Sequence, residues 1–64
     1  MNLKKKREAA GMSQAQLAEL SGVAIHLIQH YEQGYRDING ARAITILKLA
    51  KALGCSMEDL IENE

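Results

Sequence analysis

His26 and His30 stand four residues apart in the stretch Ile25-His26-Leu27-Ile28-Gln29-His30-Tyr31-Glu32. On a helix that spacing puts both imidazoles on one side. Two chemistries suit such a pair. One is metal chelation, since neutral imidazoles at i and i+4 can share an ion. A closed site takes four ligands and a catalytic one three, and the partners are missing. Cys55 is far along the chain, and the glutamate of an H-E-x-x-H motif is absent. The expectation is therefore no metal and no cofactor. The other chemistry is hydrogen bonding. Histidine and glutamine side chains offer donors and acceptors of the kind that meet base edges in a DNA groove. Catalysis is not expected: there is no nucleophile with a matching base and no phosphate-binding glycine loop.

The chain has 64 residues, enough for one domain over 1–64 but too few for a deep pocket. It lacks Trp, Phe and Pro, and its apolar residues are mainly Ala, Leu, Ile, Val and Met. That supply suits helices packed on helices. One cysteine cannot close an internal disulfide, and Cys55 reads as a small packing residue in a reducing compartment. The basic start Lys4-Lys5-Lys6-Arg7 has no apolar run behind it, so it is not an export signal, and no segment is long enough to span a membrane. Formal net charge is zero, but the charges are segregated. All eight Lys and Arg lie in residues 1–57 with only four of the eight acids, and the other four acids fall in the last seven residues. A zero total thus leaves room for an anionic partner.

Caps and periodicity predict five helices that hold these side chains. Asn2 starts a first helix over Leu3 to Ala10, ended by Gly11. Ser13 and Gln16 have the spacing of a capping box, so a second helix runs over 14–21 with Leu17, Ala18 and Leu20 facing in. Gly22 ends it, Val23 is a buried pivot, and a third helix runs over 24–33, closed by Gly34. Residues 34–40 read as a loop. Asn39 or Gly40 opens a fourth helix with Ala43, Ile44, Leu47, Ala50 and Leu53 inward, stopped by Gly54. Ser56 and Asp59 form another box-like start, for a short fifth helix over Met57 to Glu62 with Leu60 inward. The fold class is all-α, a compact five-helix bundle with a tight turn between the second and third helices. At about 100° per residue the third helix turns Ile28, Tyr31 and Glu32 inward. His26 and His30 then lie nearly opposite Ile28, with Leu27 and Gln29 on the flanks.

Gln14, Leu17, Ala18, Gly22, Val23, Ile28, Glu32 and Gly34 fill the pattern Q-x-x-L-A-x-x-x-G-V-x-x-x-x-I-x-x-x-E-x-G. In this the chain resembles the phage Cro/repressor (XRE-type) helix-turn-helix family, from Leu3 to Leu60. The resemblance implies a lambda-repressor-like bundle and a sequence-specific regulator of transcription in the cytoplasm of bacteria or encoded by phages. It also implies double-stranded DNA as partner and action as a homodimer. The third helix would read the major groove with Ile25, His26, Leu27, Gln29 and His30, and Gln14 would meet the DNA backbone. By the same likeness Arg7 pairs with Glu32 as a structural ion pair. Tyr35, Arg36, Asn39 and Arg42 rest on chemistry instead, as donors for phosphates beside the groove.

Two departures stand out. Ala24 occupies the position where the family usually has a side-chain cap, and Ile25 and Leu27 stand where polar residues are common. An aliphatic side chain can still touch a thymine methyl. The same aliphatic and histidine face would also serve a protein-interaction module, the alternative function. Met57 and Ile61 on the fifth helix are the expected patch for a weak homodimer.

Overall fold

The computed structural model of the chain describes residues 2–62. Its elements are α1 (Asn2–Ala9), α2 (Gln14–Ser21), α3 (Ile25–Gln33), a 3-10 turn (Ile38–Gly40) and α4 (Ala43–Leu53). No strand occurs among the described residues. α2 packs on both α3 and α4, and α1 packs on α3. At their centre lie Leu3, Leu17, Val23, Ile28, Tyr31, Ile38, Ile46, Leu49, Ala50 and Leu60.

The local signals for α2 act as their chemistry requires. Ser13 Oγ accepts from Gln16 N at 3.1 Å, and Gln16 Oε1 accepts from Ser13 N at 2.8 Å. The two ends of the capping box thus satisfy each other. Gly22 comes next at φ 77°, a left-handed conformation that a side chain would strain, and donates its N–H to the Ala18 carbonyl at 2.9 Å. Three residues, Gly22 to Ala24, then separate α2 from α3. Ala24 supplies no side-chain cap.

The structure corrects several expectations. Asn2 is not a cap but the first residue of α1. Its backbone N–H donates to Glu62 Oε2 at 3.0 Å and its amide to the Ile61 carbonyl at 3.2 Å, so a carboxylate from the far end of the chain caps α1. Negative charge is favourable at that end of a helix.

The loop before α4 holds a 3-10 turn, and α4 begins later than expected, at Ala43. Asp37 captures the N–H of Asn39 at 2.9 Å, which starts the tight turn there. The inward stripe of α4 is accordingly Ile46, Leu49 and Ala50, with Leu53 half-buried. Ile44 is 49% exposed and Leu47 half-buried. On α2, Leu20 is 62% exposed, not inward.

The fifth helix does not form, so the bundle has four α-helices among the described residues. The Ser56–Asp59 box is made in both directions, at 3.1 and 3.2 Å. Beyond it the chain makes only a turn with bonds to the third residue back, Asp59 N to Ser56 O and Leu60 N to Met57 O. The N–H of Glu62, which a helix would give to Glu58, goes to Asn39 Oδ1 at 2.9 Å. Asn39 Nδ2 in turn donates to the Glu62 carbonyl at 2.8 Å. This two-bond clasp diverts the backbone at the point where a helix would need to propagate. Met57 packs half-buried on the core and Ile61 is half-buried, so the expected dimer patch has no helix to present it.

Leu60, fully buried, fills the core from this non-helical segment. Leu60→Ala is expected to cost about 3 kcal/mol, the usual penalty for emptying a packed leucine site. Urea unfolding monitored by circular dichroism measures it, and a loss under about 1 kcal/mol would mean the segment is not part of the core.

Candidate nucleic-acid interface

Glu32 sets the rotation of α3. Its carboxylate faces inward, with a side chain 3% exposed, and must be paired there. Arg7 of α1 supplies the pair in fork geometry, Nε to Oε2 at 2.8 Å and Nη2 to Oε1 at 2.9 Å. Arg7 Nη1 donates to the Met12 carbonyl at 2.8 Å, which fastens the α1–α2 connection to the same group. Gln14 Nε2, from the first turn of α2, completes the set at 3.0 Å from Oε1. Burial pushes the Glu32 pKa up, but hydrogen bonds from Arg7 and Gln14 and the charges of Arg7 and Lys4 outweigh it. The net result is a pKa below the ordinary glutamate value. The Arg7 pKa is raised by its hydrogen bond to Glu32, against the opposing effect of burial.

With Glu32, Ile28 and Tyr31 held inward, the opposite side of α3 faces out. His26 and Ile25 are exposed, and Gln29 and His30 are half-buried. The His26 and His30 ring centroids lie 5.9 Å apart, edge to face at 73°. Tyr35, 77% exposed, continues the row with its ring 5.9 Å from that of His30, at 83°. The chain turn at Gly34 (φ 83°) brings Tyr35 back, since the His30 carbonyl accepts from Tyr35 N and Arg36 N at 2.9 and 3.2 Å. Three rings that offer hydrogen bonds thus run from the first turn of α3 into the loop.

Leu27 departs from this face. It is half-buried against the core and lines an open groove with Tyr31, Arg36, Asp37, Arg42 and Thr45. Arg36, which is exposed, and Arg42 therefore share one groove at the start of α4. Arg42 precedes α4 without a side-chain cap, so the first N–H groups of that helix have no side-chain partner from it. Thr45 joins the arginines there. Its place in the first turn of α4 is the available signal, but a start at Asn39 or Gly40 puts it too deep in the helix. Asn39 lies in the adjoining turn with its oxygen and one N–H committed to Glu62. One amide N–H remains for any further partner. Gln14 likewise keeps one N–H beyond its bond to Glu32.

Sequence reasoning places Ala18 on the inward stripe of α2 and does not single out Ala15, yet the two, with Val23, Ala24 and Ile25, line an apolar groove beside the first turn of α3. Their signal is the small-residue spacing on α2, which also fits ordinary helix packing. Among the described residues no cluster of three metal-ligating side chains occurs, and no helix is long and apolar enough to cross a membrane. Cys55 is half-buried against the core, and burial, with Asp59 adding, raises its thiol pKa, as befits a packing residue.

Two helices joined by three residues, the second turning a row of hydrogen-bonding side chains outward, define a helix-turn-helix module. A family profile described as helix-turn-helix matches residues 3–60. The chain belongs to the XRE-type helix-turn-helix family, whose members are DNA-binding regulators. No curated protein and no solved structure matches it.

The depressed pKa of Glu32 makes folding pH-dependent. Its contribution is fully present above the ordinary glutamate pKa of about 4.3, and is lost as pH falls through the lower folded value. Thermal stability is therefore expected to weaken from pH 5 downward. Glu32→Gln removes the charged partner of Arg7, costs about 3 kcal/mol at pH 7 and flattens that acid dependence. An unchanged acid limb in this variant would show that other carboxylates control it.

Proposed function

We propose that the protein is a sequence-specific repressor of transcription that reads the major groove of double-stranded DNA with α3. The observation that carries this reading is the outward row of His26, His30 and Tyr35, with Gln29 beside it and the arginine groove of Arg36 and Arg42 at its end. An α-helix with its side chains is about 10–12 Å across, which suits a groove about 12 Å wide, and the nine residues of α3 form such a rod. Ile25, His26, Gln29 and His30 meet base edges. Leu27 borders the arginine groove and lends it apolar support.

Phosphates are held from two sides. On one, the amino end of α2 with the free N–H of Gln14 faces the backbone. On the other, Tyr35, Arg36, Arg42 and the remaining N–H of Asn39 do so. Arg7 and Glu32 stay structural, and their pairing keeps a carboxylate out of the phosphate field. The protein acts as a homodimer completed on DNA, in which a two-fold axis sets two α3 helices about one helical turn apart on a pseudo-palindrome. Repression results from occupying the site against polymerase.

Selection of a site from a random duplex pool, with a salt titration of the selected duplex, tests this. Affinity is expected to fall steeply with salt. Arg36→Ala and Arg42→Ala are each expected to weaken binding to all duplexes alike and to reduce the salt slope by about 1. Binding that is absent or flat in salt would overturn the reading in favour of a protein partner on the same face.

A further inference from the structure

The apolar groove beside α3 has walls from Ala15 and Ala18 of α2, Gly22 and Val23 of the turn, and Ala24 and Ile25. No side chain among them bears a donor, acceptor or charge. Ile25 is 40% exposed, and Ala15, Gly22 and Ala24 are exposed as well. The space above the turn is open, since a carbon added at Gly22 would meet no atom within 4 Å. The groove reaches the first turn of α3, next to His26, and so adjoins the hydrogen-bonding row.

A wall of this kind gains nothing from phosphate and cannot read a base by hydrogen bonds. The one apolar group that DNA presents among base edges in the major groove is a pyrimidine 5-methyl. We propose that this groove receives the 5-methyl group of a pyrimidine, with Ile25 as the side chain that distinguishes a methylated from an unmethylated C5. The inference rests on the DNA reading above and names the operator feature that the first turn of α3 recognises. It also accounts for Ala24 and Ile25, two of the residues that depart from the family's pattern at the start of α3. Ser, Thr, Asp or Asn at position 24 would cap the helix but would put a polar atom into the wall. Ala24 gives up the cap and keeps the wall apolar. A polar residue at position 25 would do the same damage at the mouth of the groove. The small Ala15 and Ala18 leave the room that larger side chains would fill.

The methyl has two possible sources, thymine and 5-methylcytosine. In the duplex selected by the full chain, each thymine is replaced in turn by uracil and each cytosine by 5-methylcytosine. At one position per half-site, loss of the thymine methyl is expected to weaken binding about fourfold, the effect of burying one such group. If cytosine is the natural source, 5-methylcytosine strengthens binding by the same factor and uracil is neutral everywhere. Ile25→Ala, at an exposed position that leaves the fold intact by circular dichroism, is expected to bind methylated and unmethylated duplexes equally. His26→Ala is expected to keep the methyl ratio. A ratio of one at every position, or a methyl preference that survives Ile25→Ala, overturns the proposal while salt-dependent binding keeps the DNA reading. Failure to select any duplex with salt-dependent binding overturns both.

Discussion

A single inward carboxylate organises this small bundle. Glu32 cannot stay buried and charged without partners, and its partners come from both other helices of the amino-terminal half. Arg7 reaches it from α1 through two hydrogen bonds, and Gln14 reaches it from α2 through one. Arg7 adds the Met12 carbonyl, so the α1–α2 connection is fixed by the same guanidinium. These bonds set the rotation of α3. With Glu32, Ile28 and Tyr31 turned in, His26 must face out, and the row His26–His30–Tyr35 is a consequence of a contact on the far side of the helix.

A second constraint comes from the carboxyl-terminal segment. The Asn39 carboxamide takes both backbone groups of Glu62, and the Glu62 carboxylate caps α1 through the N–H of Asn2. One residue therefore joins the loop after α3 to the start of the chain. The loop carries Tyr35 and Arg36, and the turn at Ile38–Gly40 leads directly to Arg42. Because Ile38 and Leu60 are buried on the same core, the segment that bears the candidate phosphate donors is anchored by apolar packing as well as by the clasp. A domain this small has little core to spare, so segments outside its regular helices supply part of it.

The outward surface divides by chemistry. Rings and amides run along α3, two arginines sit at the start of α4, and an alanine-rich wall flanks the first turn of α3. Leu20 and Ile44 are large exposed aliphatics that belong to none of these three, on α2 and α4. The C-terminal segment packs Met57 and Leu60 on the core and forms no helix among the described residues.

Local signals determine what the sequence by itself can determine. Ser13, Gln16, Gly22 and Gly34 act within a few residues of themselves, so the limits of α2 and the end of α3 are legible from spacing alone. The inward trio Ile28, Tyr31 and Glu32 is legible because the scaffold residues of α3 share one side of the helix. The rotation of α4 is not, because its sequence AITILKLAKAL is apolar on most of its circumference. Which residues meet the core decides that rotation, so Ile44 comes out and Ile46 goes in. The fifth helix fails for a related reason. Its capping box is real, but Asn39, twenty-three residues away, takes the backbone N–H that the next helical bond requires. Asn39 and Gln14 look like free donors in the sequence and are partly committed in the fold, to Glu62 and Glu32. Caps and turns are short-range and can be read in order along the chain. Helix rotation, clasps and shared grooves depend on groups distant in sequence, and only the packed chain brings those together.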